Sequence, residues 1–178
     1  MNHSKYFLHS ERLAFRKFDF QDAEFIIELL NSPGWLKNIG DRKVRNLEQA
    51  RRYLELGAMK SYEERGFGLW MVVVKEDETP IGMCGLLKRD YLKFPDIGFA
   101  LMPSFAGKGF GKEMAGAVMQ YAQEILALKS LCAITLKENA TSISVLESIG
   151  MQYVKQIQSQ TNSEELLQLY ATPNLPKN

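Results

Sequence analysis

Two periods alternate along the chain. Residues 12–18, Arg-Leu-Ala-Phe-Arg-Lys-Phe, put Leu13 and Phe15 on one face and predict a strand. Asp19 follows as a helix N-cap, and Asp22 stands in the first turn, where the helix dipole favours a carboxylate. Ala23, Ile26, Ile27 and Leu30 recur at helical spacing, and Asn31-Ser32-Pro33-Gly34 predicts the stop. A polar loop carrying Trp35 and Ile39-Gly40-Asp41-Arg42 comes next. Asn46-x-x-Gln49 has the form of a capping box for a second helix, whose apolar face is Leu47, Ala50, Leu54 and Ala58.

The middle of the chain changes period. Residues 68–75 are β-branched and aromatic, Asp77-Glu78-Thr79-Pro80 is a turn, and residues 81–88 return as the hairpin partner. Residues 94–102 predict a third strand of this block. Residues 109–128 predict a long helix with Ala115, Val118, Met119, Ala122 and Leu126 inward. Residues 131–136 lack clear alternation, as a strand buried on both faces would. A helix over about 141–149 ends at Gly150, and two strands, about 151–160 and 165–171, are joined at Asn162-Ser163. Only 1–4 and 173–178 look loose. The order β-α-α-β-β-β-α-β-α-β-β predicts an α/β domain: a mixed, mostly antiparallel sheet with helices on both faces.

Composition adds exclusions. The 178 residues carry 22 Lys plus Arg against 21 Asp plus Glu, with 46% hydrophobic and 24% charged residues. A chain of this size buries roughly 70% of its unfolded surface, enough for one core, so a single domain over residues 1–178 is expected. A net charge of +1 gives no warrant for a general nucleic-acid or membrane binder. Cys84 and Cys132 each sit in an apolar run and read as buried free thiols. A zinc cluster or a His-based triad would have to draw on His3 and His9, which lie in an N-terminal stretch of the kind that usually frays, so neither is expected. There is no apolar stretch of the kind that opens a secretory signal, nor one of membrane-spanning length. A cytoplasmic enzyme or binding domain is expected.

The most informative segment is Met102-Pro103-Ser104-Phe105-Ala106-Gly107-Lys108-Gly109-Phe110-Gly111-Lys112-Glu113, between a strand and a helix. Glycines there let successive N–H groups turn toward one anion, the positive helix end adds attraction, and Lys108 and Lys112 add charge. A P-loop fails, because Ala106 stands at its first glycine and Glu113 at its Ser/Thr. The dinucleotide fingerprint fails at Lys112, where its third glycine belongs. A turn that serves only tight strand–helix packing stays open at this point.

This segment and three others resemble the GNAT superfamily of acyl-CoA-dependent N-acetyltransferases, most of all the branch containing ribosomal-protein N-terminal acetyltransferases. Ala106 to Gly111 matches the family's glycines but departs at Ala106, where a basic or amide residue is usual. Asp96-Ile97-Gly98-Phe99-Ala100 resembles the strand before the cradle. Asn139-Ala140-Thr141-Ser142-Ile143 through Gly150-Met151 resembles the family's second helix, with Met151 replacing Phe. Glu11-Arg12-Leu13, Asp22-Ala23-Glu24, Ile39 to Arg42 and Gly85 to Asp90 also match, so the likeness covers about residues 10–171.

The resemblance implies an acetyl-CoA site between two parallel strands that splay apart. Backbone groups of Ala100, Leu101 and Met102 would meet the pantetheine amides, N–H groups of Gly107, Lys108, Gly109, Phe110, Gly111 and Lys112 would hold the pyrophosphate, and Asn139 would bond the pantetheine arm or simply cap its helix. Amine acetylation needs a neutral amine, although a lysine-like ammonium has a pKa near ~10.4 and an α-amino group near ~7.7–8.0. It also needs oxyanion stabilisation and a proton for the leaving thiolate. Asp96 is the candidate base, acting through water. The tyrosine that many GNAT enzymes use as thiolate donor is matched here by Leu146, so Ser142 is the implied substitute, with the N–H near Leu101 as oxyanion donor. Trp35, Asp41, Arg42, Arg89, Asp90 and Tyr91 are the acceptor-pocket candidates. The implied reaction is direct attack of a primary amine, a protein N-terminus or a small molecule, on acetyl-CoA in a ternary complex, with no metal and with a homodimer as the default assembly. A non-catalytic acyl-CoA-binding domain is the alternative, and a nucleotide binder with a degenerate phosphate loop a more distant one.

Overall fold

The computed structural model describes residues 5–160, 162 and 164–173. Ser163 of the predicted last turn and the terminal stretches 1–4 and 174–178 lie outside the described residues. The elements in chain order are β1 (Leu8–His9), β2 (Leu13–Arg16), α1 (Ala23–Leu30), α2 (Pro33–Asn38), α3 (Leu47–Leu54), α4 (Lys60–Arg65), β3 (Leu69–Val74), β4 (Pro80–Leu87), β5 (Asp96–Leu101), α5 (Phe110–Glu124), β6 (Cys132–Leu136), α6 (Ala140–Ser148), β7 (Gln152–Gln158) and β8 (Leu166–Ala171). Among the described residues the strands form one sheet in the order β1-β2-β3-β4-β5-β6-β8-β7. Every neighbouring pair is antiparallel except β5 and β6.

Strand alternation divides the core. Leu13, Phe15, Trp70, Val72, Cys84, Leu86 and Ile97 pack on one face with α5 and Leu146 of α6. Ala14, Met71, Val73 and Met83 pack on the other with Ile26, Leu29 and Leu30 of α1 and Ala50 and Leu54 of α3. Each large side chain buried this way contributes roughly 1.5–3 kcal/mol. The buried sheet thus separates two helical layers, which is the arrangement its period predicts.

Three local departures have physical causes. The predicted stop at residues 31–34 is also a start: Ser32 Oγ accepts the Trp35 N–H at 3.4 Å, and Pro33 occupies the first position of α2, where its missing N–H costs nothing. The second predicted helix runs further, because a π-helical turn at Glu55–Met59 joins α3 to α4, and Gly66 caps the end at φ 74°. Leu47, assigned to its apolar face, is 42% exposed at the first helical position. Finally, α5 stops at Glu124, and Ala127 turns left-handed at φ 53°. The pattern of the sequence does not predict β1, since two residues carry too little period.

Candidate active site

The site begins where parallel pairing fails. β5 and β6 register at Asp96↔Cys132, where the Cys132 N–H donates to Pro95 O at 3.0 Å. No further register joins the two strands among the described residues. At the other end of β5, the Met102 N–H donates to Ile81 O on β4 at 2.8 Å. Backbone groups alternate in direction along a strand. Pro95 facing β6 and Met102 facing β4 therefore turn Phe99 and Leu101 into the widening gap and Ala100 toward β4. Of the three positions expected to offer backbone groups, Leu101 faces the splay, and Phe99 joins it.

The glycine turn closes the open end of this gap. Pro103 opens a 3-10 turn, and Gly107 and Gly109 adopt φ of 75° and 80°, the left-handed region that a β-carbon penalises. Gly109 is the N-cap of α5 and lends it no side chain, so the first N–H groups of the helix have no intrahelical partner. At Gly111 an added β-carbon would stand 3.3 Å from Val145 Cγ2 and 3.7 Å from Leu101 Cδ1, which lets α5 close on α6 and β5. The aligned N–H groups and the helix dipole form an anion cradle.

A bracket holds the cradle from outside. Glu113 Oε1 accepts the Arg12 N–H at 2.7 Å and the Ser10 hydroxyl at 2.7 Å, and Oε2 pairs with the Arg12 guanidinium at 2.7 Å. Arg12 also donates to Lys108 O at 3.2 Å and lies 4.3 Å over the Phe110 ring. Burial alone would raise the Glu113 carboxyl; the bonds from Arg12 and Ser10 outweigh it and hold the group below its ordinary value. Lys108 and Lys112 are exposed, Lys108 Nζ lying 5.1 Å over Phe105.

On α6, Asn139 is the N-cap, its Oδ1 accepting the Ser142 N–H at 3.1 Å. Its amide nitrogen has no partner among the described residues. Ser142 is half-buried in the first turn, and Leu146 is 1% exposed in the core, facing α5 rather than the gap.

At the closed end, Asp96 is 1% exposed and receives Arg89 Nε at 3.1 and 3.0 Å. Burial raises its carboxyl above the usual value, and the Arg89 charge opposes only part of that rise. Asp96 pairs with Leu87, Gly98 with Gly85 and Ala100 with Met83, so all six share the sheet face of α1 and α3. On that face lies a cavity of about 590 Å³. Leu69, Met83 and Leu87 form part of its floor, and Arg42, Arg52, Tyr53 and the π turn part of its wall. Burial raises the Tyr53 hydroxyl, while the guanidinium groups of Arg42 and Arg89 act against it. Tyr53 lines the cavity and feels the charges of both arginines.

The acceptor candidates separate accordingly. Arg42 lines the cavity, and Arg89 is paired with Asp96. Trp35 is 5% exposed, and its indole N–H donates to Gly40 O at 3.0 Å, so packing consumes it. Asp41 is exposed and taken by Arg45 at 2.7 Å and by the Lys43 N–H at 2.7 Å. Asp90 and Tyr91 are exposed in the β4–β5 turn. Sequence reasoning missed Tyr53 and Arg52; the available signal was a polar-tipped aromatic beside Leu54, on the edge of a predicted apolar stripe. The bracket of Glu113 on Arg12 is a second feature that no local pattern marks.

The family model for the Acetyltransferase (GNAT) domain matches residues 12–152. The chain belongs to the GNAT acetyltransferase family. A curated relative, the uncharacterized N-acetyltransferase p20 of Bacillus licheniformis, is 29% identical over 146 residues, 82% of each chain. An acetyltransferase (GNAT family) from Bacillus anthracis has a TM-score of 0.76 at 25% identity, covering 93% of this chain and 96% of that one. RimL, a ribosomal alpha-N-protein acetyltransferase solved with Coenzyme A, shares the fold at a TM-score of 0.77 and 17% identity, covering 91% of this chain and 94% of that one. The GNAT assignment makes this chain an acetyl-CoA-dependent N-acetyltransferase. It also accounts for the single parallel pair in an otherwise antiparallel sheet. No helix among the described residues of this GNAT chain is long and apolar enough to cross a membrane.

Proposed function

We propose that the protein transfers acetyl from acetyl-CoA to a primary amine by direct attack, both substrates being bound at once. The observation that carries this reading is the division of one splayed strand pair: an anion cradle at its open end and a buried carboxylate, beside a cavity, at its closed end. Gly107 to Lys112 would receive the pyrophosphate through backbone N–H groups, and Phe99 and Leu101 would meet the pantetheine. The cradle fits this role because nothing lies within 4 Å of where a β-carbon on Gly107 would stand and because the Arg12–Glu113 pair holds the turn, with the Arg12 guanidinium beside Gly109.

The protein's own groups then do three things. Asp96 takes the amine proton through water, helped by a carboxyl that burial has made more basic. The Phe99 N–H, which β5 also turns into the gap and which lies nearer Asp96 than Leu101 does, faces the developing oxyanion. Ser142, at the first turn of α6, supplies a proton to the thiolate in place of the tyrosine that Leu146 replaces. Holding both substrates together contributes much of the remaining rate.

Initial-rate kinetics test the scheme. Direct attack predicts intersecting double-reciprocal lines when acetyl-CoA and amine are varied together, whereas parallel lines would mean an acetyl-enzyme and overturn it. Ser142→Ala should lower kcat with little change in the KM for acetyl-CoA. Binding of CoA without thiol release, for any amine, would instead mark an acyl-CoA-binding domain.

A further inference from the structure

We infer that the acceptor amine carries an anionic group, carboxylate or phosphate, on an apolar body of small-molecule size. The inference rests on the reading of the 590 Å³ cavity as the acceptor site, and it concerns what that cavity selects. Its volume is that of a small-ligand pocket.

The charge of the lining is one-sided. Arg42, Lys43, Arg52, Arg65 and Lys88 all contribute to it, and no Asp or Glu does. The whole chain carries only +1, so this is a local concentration and not a general bias. Two of the five are occupied: Arg65 donates to Glu64 at 2.9 Å, and Lys88 to Leu92 O at 2.8 Å. Arg42 and Arg52 make no ion pair among the described residues. Arg42 comes from the loop before α3 and Arg52 from within α3, next to Tyr53.

The floor beneath them is apolar, with Ile26, Leu54, Leu69, Met83 and Leu87. The π turn places Leu56 and Gly57 along the same wall. Such turns are found where a helix has been shaped around a site. An amine with no other charge enters as an ammonium and meets a net positive lining in which Arg42 and Arg52 make no ion pair among the described residues. A polyamine is opposed more strongly still. A carboxylate or phosphate reverses the sign of that encounter and offers a guanidinium the bidentate partner it suits. Asp96 shares this sheet face, is paired with Arg89, and registers with Leu87, which lines the cavity. The anion would therefore sit on the Arg42–Arg52 side, and the amine toward Asp96.

Matched acceptors test this. Thiol release from acetyl-CoA is measured with phenylalanine, its phosphonate analogue, 2-phenylethylamine, spermidine and a peptide bearing a free N-terminus. At least one of the two anionic amines should exceed 2-phenylethylamine in kcat/KM by at least about tenfold, the worth of one charge-assisted hydrogen bond. The phosphonate distinguishes phosphate from carboxylate. In Arg42→Gln/Arg52→Gln the anionic preference should shrink to about threefold or less, whereas Lys155→Gln, on β7, keeps it. Equal or higher kcat/KM for 2-phenylethylamine or spermidine overturns the inference, as does acetylation of the peptide alone. A second readout is independent of turnover. Calorimetry with CoA-saturated protein should show N-acetylphenylalanine or its phosphonate counterpart binding more tightly than N-acetyl-2-phenylethylamine. If no amine is acetylated, the catalytic reading fails, while this titration still decides the inference: no preference for the anion overturns it.

Discussion

The two ends of the splay are built from different material. The open end is a backbone device. Gly107 and Gly109 set its curvature and Gly111 its closeness to α6, and the groups it presents are N–H donors common to any sequence. The closed end is a side-chain device. Asp96 comes from β5, Arg89 from the turn before it, Tyr53 and Arg52 from α3, and Arg42 from a loop. A backbone cradle can serve one cofactor across a family while the side chains around the acceptor vary. The difference also tells which mutations move which substrate.

The largest effect should come at the closed end. Asp96→Asn should lower kcat by about 10²–10⁴-fold, the range of a lost general base, with acetyl-CoA affinity within about twofold. Since burial raises the Asp96 carboxyl, the wild-type rate should fall on acidification at a pH above the ordinary Asp value of ~3.9, as the base takes up its proton. Parallel loss of acetyl-CoA binding would erase the division between the two ends. At the open end the converse holds. Gly109→Val places a β-branched residue at φ 80°, a strain of about 1–2 kcal/mol. Acetyl-CoA affinity, measured by calorimetry, should fall about tenfold, while the KM of the acceptor moves little.

Sequence legibility follows the same division. The glycine spacing from Gly107 to Gly111, lying between a strand pattern and a helix pattern, marks a turn that could cradle an anion or serve tight packing, and only the family resemblance chooses between them. The pattern of residues 12–18 likewise places Leu13 and Phe15 on one strand face, and both are buried. The acceptor side is not legible in this way. Trp35 and Asp41 have the residue types of a binding pocket, yet one is folded into the core and the other is held by Arg45. Tyr53 and Arg52 look like ordinary helix-surface residues until a π turn and the opposite sheet enclose a cavity around them. Contacts between distant elements leave no local period. The bracket of Arg12 on Glu113, 101 residues apart, is hidden for the same reason.

That bracket gives a smaller prediction. Glu113→Gln should cost on the order of 1–2 kcal/mol of stability at neutral pH. The Glu113 carboxyl is held below its unfolded value, so its contribution is present above ~4.3 and fades as pH falls through the folded value. Thermal unfolding of the two proteins should therefore converge in acid; a difference that persists there would show that shape, and not charge, holds the cradle. The smallest effect belongs to Asp41→Asn. The Asp41–Arg45 pair is exposed, and its loss should leave the thermal midpoint and the acceptor kinetics essentially unchanged. A clear rise in acceptor KM would bring Asp41 back into the site.

The central claim, that cofactor and acceptor are gripped at opposite ends of one strand pair, is tested most directly by amide chemical shifts during a CoA titration. The largest changes should fall on Gly107, Lys108, Gly109, Phe110, Gly111 and Lys112, with Phe99 and Leu101 following, while Arg42, Arg52 and Tyr53 stay near their starting positions. Shifts concentrated around Arg42, Arg52 and Tyr53, with the glycine turn unmoved, would contradict it.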